Sequence, residues 1–330
     1  MKQYCILGRG CICREGNSPA ELAASSHTKP SPNGTLEFRS MIESGWTRRL
    51  DPISLMACAA IRAALSEAGN PHMKSPDRTG IVLGSRTAGL GMSIDYTTQL
   101  RELGSDLASP MLFTNTVLNA PASHASILLG ITGASFSCFG HETASSDAIW
   151  AAMRMLDFGR MDLVIAGGVD GAHLRLPRRL SQNGAGVVIL APEDLCANQP
   201  HVRGRISGIE SERSEWKRLP ETVPGWIGRI WREFSPHTVF SGRVLISIPD
   251  NGDGMGERIR SALADDPVMG SGSSECRAGC SDRGSFGGVM DLIYATECLR
   301  GTGSDGAPVP VAILTDIASD GSCNTMILTS

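Results

Sequence analysis

Thr143-Ala144-Ser145-Ser146-Asp147-Ala148-Ile149-Trp150-Ala151-Ala152-Met153-Arg154-Met155-Leu156-Asp157-Phe158 reads as a helix, Gly159 stops it, and Leu163-Val164-Ile165-Ala166 follows as a short apolar strand closing on Gly167-Gly168. The same unit stands upstream. Leu55, Cys58, Ile61 and Leu65 recur every three or four residues over 54–68, Gly69-Asn70-Pro71 ends the run, and Gly80-Ile81-Val82-Leu83-Gly84 is the strand it feeds. Downstream come strands at 186–190 and 244–248, a short helix at 256–263, and a helix at 289–300 with Leu292, Ile293 and Leu299 on one face. Strands at 311–314 and 325–328 follow. Residues 18–33, rich in Ser, Pro and Ala, read as a surface loop. Strands alternating with helices imply an α/β protein with parallel sheets packed between helical layers. The repeated order divides the chain into two similar halves, 1–180 and 181–330.

At 330 residues the chain exceeds the size at which a single core usually stops growing, which agrees with two fused halves. A net charge of −4 argues against general nucleic-acid binding, which needs a basic surface to release counterions. No run of about 18 apolar residues is present, so no membrane-spanning helix is expected. Tyr4-Cys5-Ile6-Leu7 is too short for a signal peptide and reads as a first strand. The ten scattered cysteines then read as reduced thiols of a cytoplasmic protein. Cys11-x-Cys13 and Cys276-x3-Cys280 have no His at zinc spacing, so neither a metal nor a cofactor is expected.

Five pieces in order carry a resemblance: Arg49-Leu50-Asp51; Asn119 through His124 to Ile127, with Gly130 and Gly133-Ala134-Ser135; Asp162 to Asp170; Gly184-Ala185-Gly186-Val187; and Gly284-Ser285-Phe286-Gly287-Gly288. Together they resemble the beta-ketoacyl synthase family over nearly the whole chain. The resemblance implies the thiolase-type fold, with two similar halves whose sheets lie between helical layers.

That family attacks an acyl thioester with a Cys at a strand-to-helix turn, where a helix N-terminus favours the thiolate. Two His stabilise the enolate formed at the same site. Counting from Gly133-Ala134-Ser135, the Cys position holds Glu142; the first His position falls at Asp250 and the second at Ser281. The family's Lys position falls at Cys276, and its Gly-Phe-Gly-Gly gate becomes Ala318-Ser319-Asp320-Gly321. The segment after the Ala-Gly-Gly strand is also short, because only 171–182 separates it from the second half.

A scaffold without nucleophile, His pair, Lys or gate resembles the chain-length factors of type II polyketide systems. The resemblance implies a subunit that makes a heterodimer with a catalytic ketosynthase, meets acyl carrier protein through that complex, and shapes the acyl tunnel. Leu112, Phe113, Val117 and Leu118, with Glu142, are the expected tunnel or interface residues. An alternative is an acyl-thioester hydrolase or decarboxylase using Glu142 and His141. Cys138 reads as inert strand packing and His124 as a structural histidine. Gly252-x-Gly254-x-Gly256 reads as a flexible turn, Arg178-Arg179 as solvated surface, and Ser211 to Phe234, with Trp216, Trp226 and Trp231, as an inserted amphipathic helix over the core.

Overall fold

The protein is described here by a computed structural model covering residues 2–14, 16–25, 42, 45, 50–177, 182–196, 202–234, 244–248, 254–264, 274–278, 287–301, 309, 311–320 and 322–330. Ten strands form one mixed sheet: β1 (Tyr4–Ile12), β2 (Thr79–Ser85), β3 (Ser135–Phe139), β4 (Leu163–Asp170), β5 (Gly184–Pro192), β6 (Gly204–Arg213), β7 (Val244–Ile248), β8 (Ser274–Ala278), β9 (Val311–Ile317) and β10 (Ser322–Thr329). Their order is β3-β2-β4-β5-β1-β6-β10-β9-β7-β8. Outward from the β1–β6 junction, the first five strands and the last five follow the same sequence of neighbours. The duplicated grammar of the chain is therefore a duplicated topology.

The expectation of parallel sheets needs correction. Strand β2 is parallel to β3 and β4, and β7 to β8 and β9, but every other pairing is antiparallel. The reason lies in the connections. Only residues 318–321 join β9 to β10, too few for the crossover that a parallel neighbour needs. Strand β5, read from sequence as opening the second half, is hydrogen-bonded between β4 and β1.

The described helices are α1 (Pro19–Ser25), α2 (Pro52–Glu67), α3 (Leu90–Leu103), α4 (Pro110–Thr114), α5 (Ala120–Leu129), α6 (Ala144–Asp157), α7 (Leu219–Phe234), α8 (Met255–Ala264) and α9 (Gly287–Leu299). Three cores separate them into layers. Helices α2 and α5 cover the outer face of the first five strands through Leu55, Ile61 and Ala122 packed with Leu7, Ile81 and Ile189. Helices α7 and α8 cover the last five through Val223, Ile227 and Ile259 with Ile246 and Ile313. Helices α6 and α9 fill the space between, touching Val82 and Val188 on one side and Leu245 and Leu314 on the other. The expected sandwich is present, with the two five-strand halves of the one sheet lying between helical layers.

Several local expectations change. Helix α9 has no polar face turned to water: all of its residues, Asp291, Thr296 and Glu297 included, are buried because it lies in the middle layer. The supposed loop 18–33 contains α1, with Leu22 and Ala23 buried, before it leaves the described residues. Ser211–Arg213 belongs to β6 rather than to an insertion, and the amphipathic helix begins at Leu219.

Two contacts fix the frame on which the site is built. Asp51 caps α2 by accepting from the Ile53 and Ser54 amides at 2.9 and 3.1 Å, with Pro52 pre-set for the first turn. Gly8 and Gly10 let β1 lie directly under α2, since a Cβ at either would strike the carbonyls of Ala64 and Ala60. Between them, Arg9 is almost fully buried and bridges Glu67 of α2 at 2.7 Å to Glu297 of α9.

Candidate functional site

Strands β2, β3 and β4 are parallel, so their C-terminal ends share one edge of the sheet, the usual place for a ligand site in an α/β protein. Arg86 follows β2, Glu142 follows β3 two residues before α6, and Asp170 ends β4. Gly84 lets the first turn of α6 approach β2, because a Cβ there would strike the Ala144 carbonyl. The second half contributes Ser319, just beyond β9.

Glu142 is where these pieces meet. Arg86 Nη1 donates to its Oε1 at 2.8 Å, and the Ser319 backbone N–H and Oγ both donate to its Oε2 at 3.2 Å. Burial works to raise the Glu142 pKa, but hydrogen bonds from its own amide and from Ser319, together with Arg86, outweigh that and hold it below its ordinary value. Arg86 is itself placed from behind. Asp170, fully buried, accepts from Ser85 Oγ at 3.0 Å, from the Arg86 amide at 2.9 Å and from the Thr87 amide and Oγ1 at 3.1 Å, and lies 3.7 Å from Arg86 Nε.

Behind Glu142 the electrostatics reverse. Asp316, at the end of β9, accepts from Ser146 Oγ at 2.6 Å, yet burial and the nearby carboxylates of Asp291, Asp147 and Glu142 push its pKa up to about 7. Asp147 accepts from Asn324 Nδ2 at 2.7 Å and from Thr143 Oγ1 at 3.2 Å. This wall of carboxylates suits neither a thiolate nor an enolate, both of which need positive potential.

The neighbouring positions hold no nucleophile. Burial and Asp147 push the Cys138 thiol up to about 11, so it stays protonated near neutrality. His141 is largely exposed and its Nε2 lies 3.6 Å from Asp320, so it and Glu142 contact different partners. His141 and Asp147 line an open cleft of about 420 Å³ beside the site. His124 Nδ1 sits 3.0 Å from Ser54 Oγ, and burial lowers its pKa, as befits a neutral structural histidine. Among the described residues no cluster of His, Cys, Asp and Glu could hold a metal ion, and no helix is long and apolar enough to cross a membrane.

Asp250, Ser281, Arg178 and Arg179 lie outside the described residues, while Cys276 falls in β8 opposite Ile246. Phe113, Val117 and Leu118 are exposed and Leu112 is half-buried. Phe113 packs its ring, tilted by 53° at a centroid distance of 5.4 Å, against Tyr96 of α3. Sequence reading missed Arg86 and Asp170 as members of the site, and it had Ser319 only within the gate position, not as a donor to Glu142. Asp170 ends the quoted Ala-Gly-Gly strand, a usable signal, but nothing local connects Arg86 with a residue 56 positions away.

Comparison with known proteins closes this description. Residues 18–188 match the family described as "Beta-ketoacyl synthase, N-terminal domain", and the chain belongs to that family. A 3-oxoacyl-[acyl-carrier-protein] synthase 2 from Rhizobium meliloti (strain 1021) is 28% identical over 160 residues, which are 48% of this chain and 38% of that protein. Nodulation protein E of Rhizobium leguminosarum bv. trifolii is 27% identical over 190 residues, 51% of this chain and 47% of that one. The chain thus spans less than half the length of each of these relatives. In structure it superposes on a complex titled as a type II polyketide synthase acyl-carrier protein with its ketosynthase (AntDE:AntF), with a TM-score of 0.79, 16% identity and 99% of both chains covered. The ishigamide ketosynthase/chain length factor gives a TM-score of 0.77, again at 16% identity and 99% coverage of both chains. The fold is the thiolase-like α/β fold of the ketosynthases.

Proposed function

We propose that this chain is a non-condensing ketosynthase-like subunit, akin to a chain-length factor, that pairs with a catalytic ketosynthase and shapes its acyl tunnel. One observation carries the reading: where the family's nucleophilic Cys would stand, a Glu142 carboxylate is tied to Arg86 and Ser319. A carboxylate so held cannot carry an acyl thioester. The Rhizobium meliloti relative is named a synthase, so on this reading the loss concerns this chain's chemistry rather than its ancestry.

The partner is argued from the surface. Strand β3 is an edge strand that exposes Phe136 and Phe139, Ile127 of the neighbouring α5 is exposed, and Met111, Phe113, Val117 and Leu118 are exposed in and after α4. An edge strand left open beside exposed apolar side chains invites association. A ketosynthase extending the sheet across β3 would cover it, and acyl carrier protein would reach the pair through that partner. Hydrolysis or decarboxylation by Glu142 and His141 has less support, since Glu142 is engaged and His141 faces Asp320. We place the junction of the two halves within 193–203 rather than at 180, because β5 completes the first set of five strands.

The test is co-expression with a Cys-bearing ketosynthase. A 1:1 complex is expected by native mass measurement, and acyl-carrier thioesters should add no mass to this chain. An acyl adduct on Cys138, or a monodisperse monomer indifferent to the ketosynthase, would refute the reading.

A further inference from the structure

The donors around Glu142 come from both sets of strands. Arg86 follows β2 and the start of α6 follows β3, while Ser319 lies in the short link between β9 and β10. Asp170 anchors the backbone at the β2 end through four donors to its Oδ1, the Arg86 amide among them, and its other oxygen lies 3.7 Å from Arg86 Nε, a charge that favours the guanidinium in this place. Ser319 offers two donors to one oxygen and Arg86 one donor to the other. That geometry matches a carboxylate, one donor set for each oxygen.

We propose that Arg86, Ser319 and the start of α6 form a carboxylate receptor, that Glu142 fills it as an internal ligand, and that its occupancy fastens the 318–320 turn to α6. This deepens the reading of Glu142 as a blocking residue and rests on the same contacts, but not on any partner. The carboxylate does two things at once. It neutralises Arg86, and it ties the turn that stands in the family's gate position to the helix where the nucleophile would be. The gate is thus held shut from inside, by a side chain in place of a substrate. A small free carboxylate should replace it when the side chain is shortened.

The test uses the full chain and Glu142→Ala, a change that removes the atoms of one acetate ion. Hydrogen exchange is read by mass spectrometry on a peptide spanning Ser319, whose amide Glu142 protects. In Glu142→Ala this amide should exchange about tenfold faster or more, equivalent to ~1.4 kcal/mol of lost protection. Sodium acetate should slow it again, sodium chloride at equal ionic strength should not, and Glu142→Ala with Arg86→Met should lose the acetate response. Unchanged exchange in Glu142→Ala, or equal responses to acetate and chloride, overturns the proposal. If Glu142→Ala does not fold, Glu142→Gln serves: its amide fills the same space without the charge, so exchange at Ser319 should rise by a smaller factor and acetate should do nothing. No rise in that variant overturns the proposal as well. A chain that accepts an acyl group while Ser319 stays protected by Glu142 would defeat the non-condensing reading and leave the receptor standing.

Discussion

Helix α2 packs on β1, β4 and β5, whereas α3 packs chiefly on α4, and the two regions treat apolar residues in opposite ways. Helix α2 buries nearly every residue it offers, from Ile53 through Leu65. Helix α3 buries Gly91, α4 buries nothing, and Leu100, Leu103, Met111, Phe113, Val117 and Leu118 stand in solvent. The first arrangement is a finished core. The second is an open apolar surface, and under the proposed pairing the contrast marks where a partner would be added.

The contrast breaks most visibly in stability. Leu55→Ala should cost about 2–5 kcal/mol of unfolding free energy in urea titration, the usual range for a large buried side chain cut to a methyl. Phe113→Ala should cost the isolated chain under ~0.5 kcal/mol, as exposed substitutions do. Equal costs would mean that the α4 region is core and no partner is needed there.

Assembly gives the next effect. Phe136→Asp puts a charge on the open face of β3 and should weaken ketosynthase binding about a hundredfold, ~2.7 kcal/mol, within the range for interface anchors. Binding measured by biolayer interferometry that is indifferent to this change would move the interface elsewhere.

Product length should respond less. In a reconstituted complex, Phe113→Ala and Val117→Ala should each relieve an overpacking cost of roughly 1–3 kcal/mol and favour longer chains by about tenfold. A fixed length distribution in both complexes, read by mass spectrometry, removes the tunnel-floor role and leaves a structural one. The smallest change belongs to an ordinary polar surface. Lys2→Ala, which breaks an exposed 3.2 Å pair with Asp157, should shift stability by no more than about 0.5 kcal/mol. That value marks what exposure alone is worth beside the apolar patch.

Much of the fold was legible because its strongest elements are periodic. The strand cores at 80–84, 163–166 and 186–190 sit inside β2, β4 and β5, and helices 54–68 and 143–158 match α2 and α6 to within two residues. Strand β6 was missed because Gly204–Arg213 carries charged and half-exposed residues through most of its length. Strand β8, Ser-Glu-Cys-Arg-Ala, has no apolar alternation at all. Helix α3 was missed for a related reason: polar residues interrupt its apolar ones, of which Leu90, Leu100 and Leu103 are exposed and Met92, Ile94 and Tyr96 only half-buried.

The site divides along the same line. Local sequence determined that Asp170 ends the Ala-Gly-Gly strand and that Glu142 follows Gly133-Ala134-Ser135 at a countable spacing; that Glu142 and Ala318-Ser319-Asp320 stand at the nucleophile and gate positions is what the family resemblance implies. Only the tertiary structure decided what the carboxylate does. Arg86 and Ser319 lie 56 and 177 positions from Glu142, and they meet it because parallel β2 and β3 end at one sheet edge while the second half delivers the β9–β10 turn to the same point. Hydrogen bonds between residues so far apart leave no periodic trace in sequence. Their geometry follows from the packing of whole layers, which sets the distances before any side chain chooses a partner.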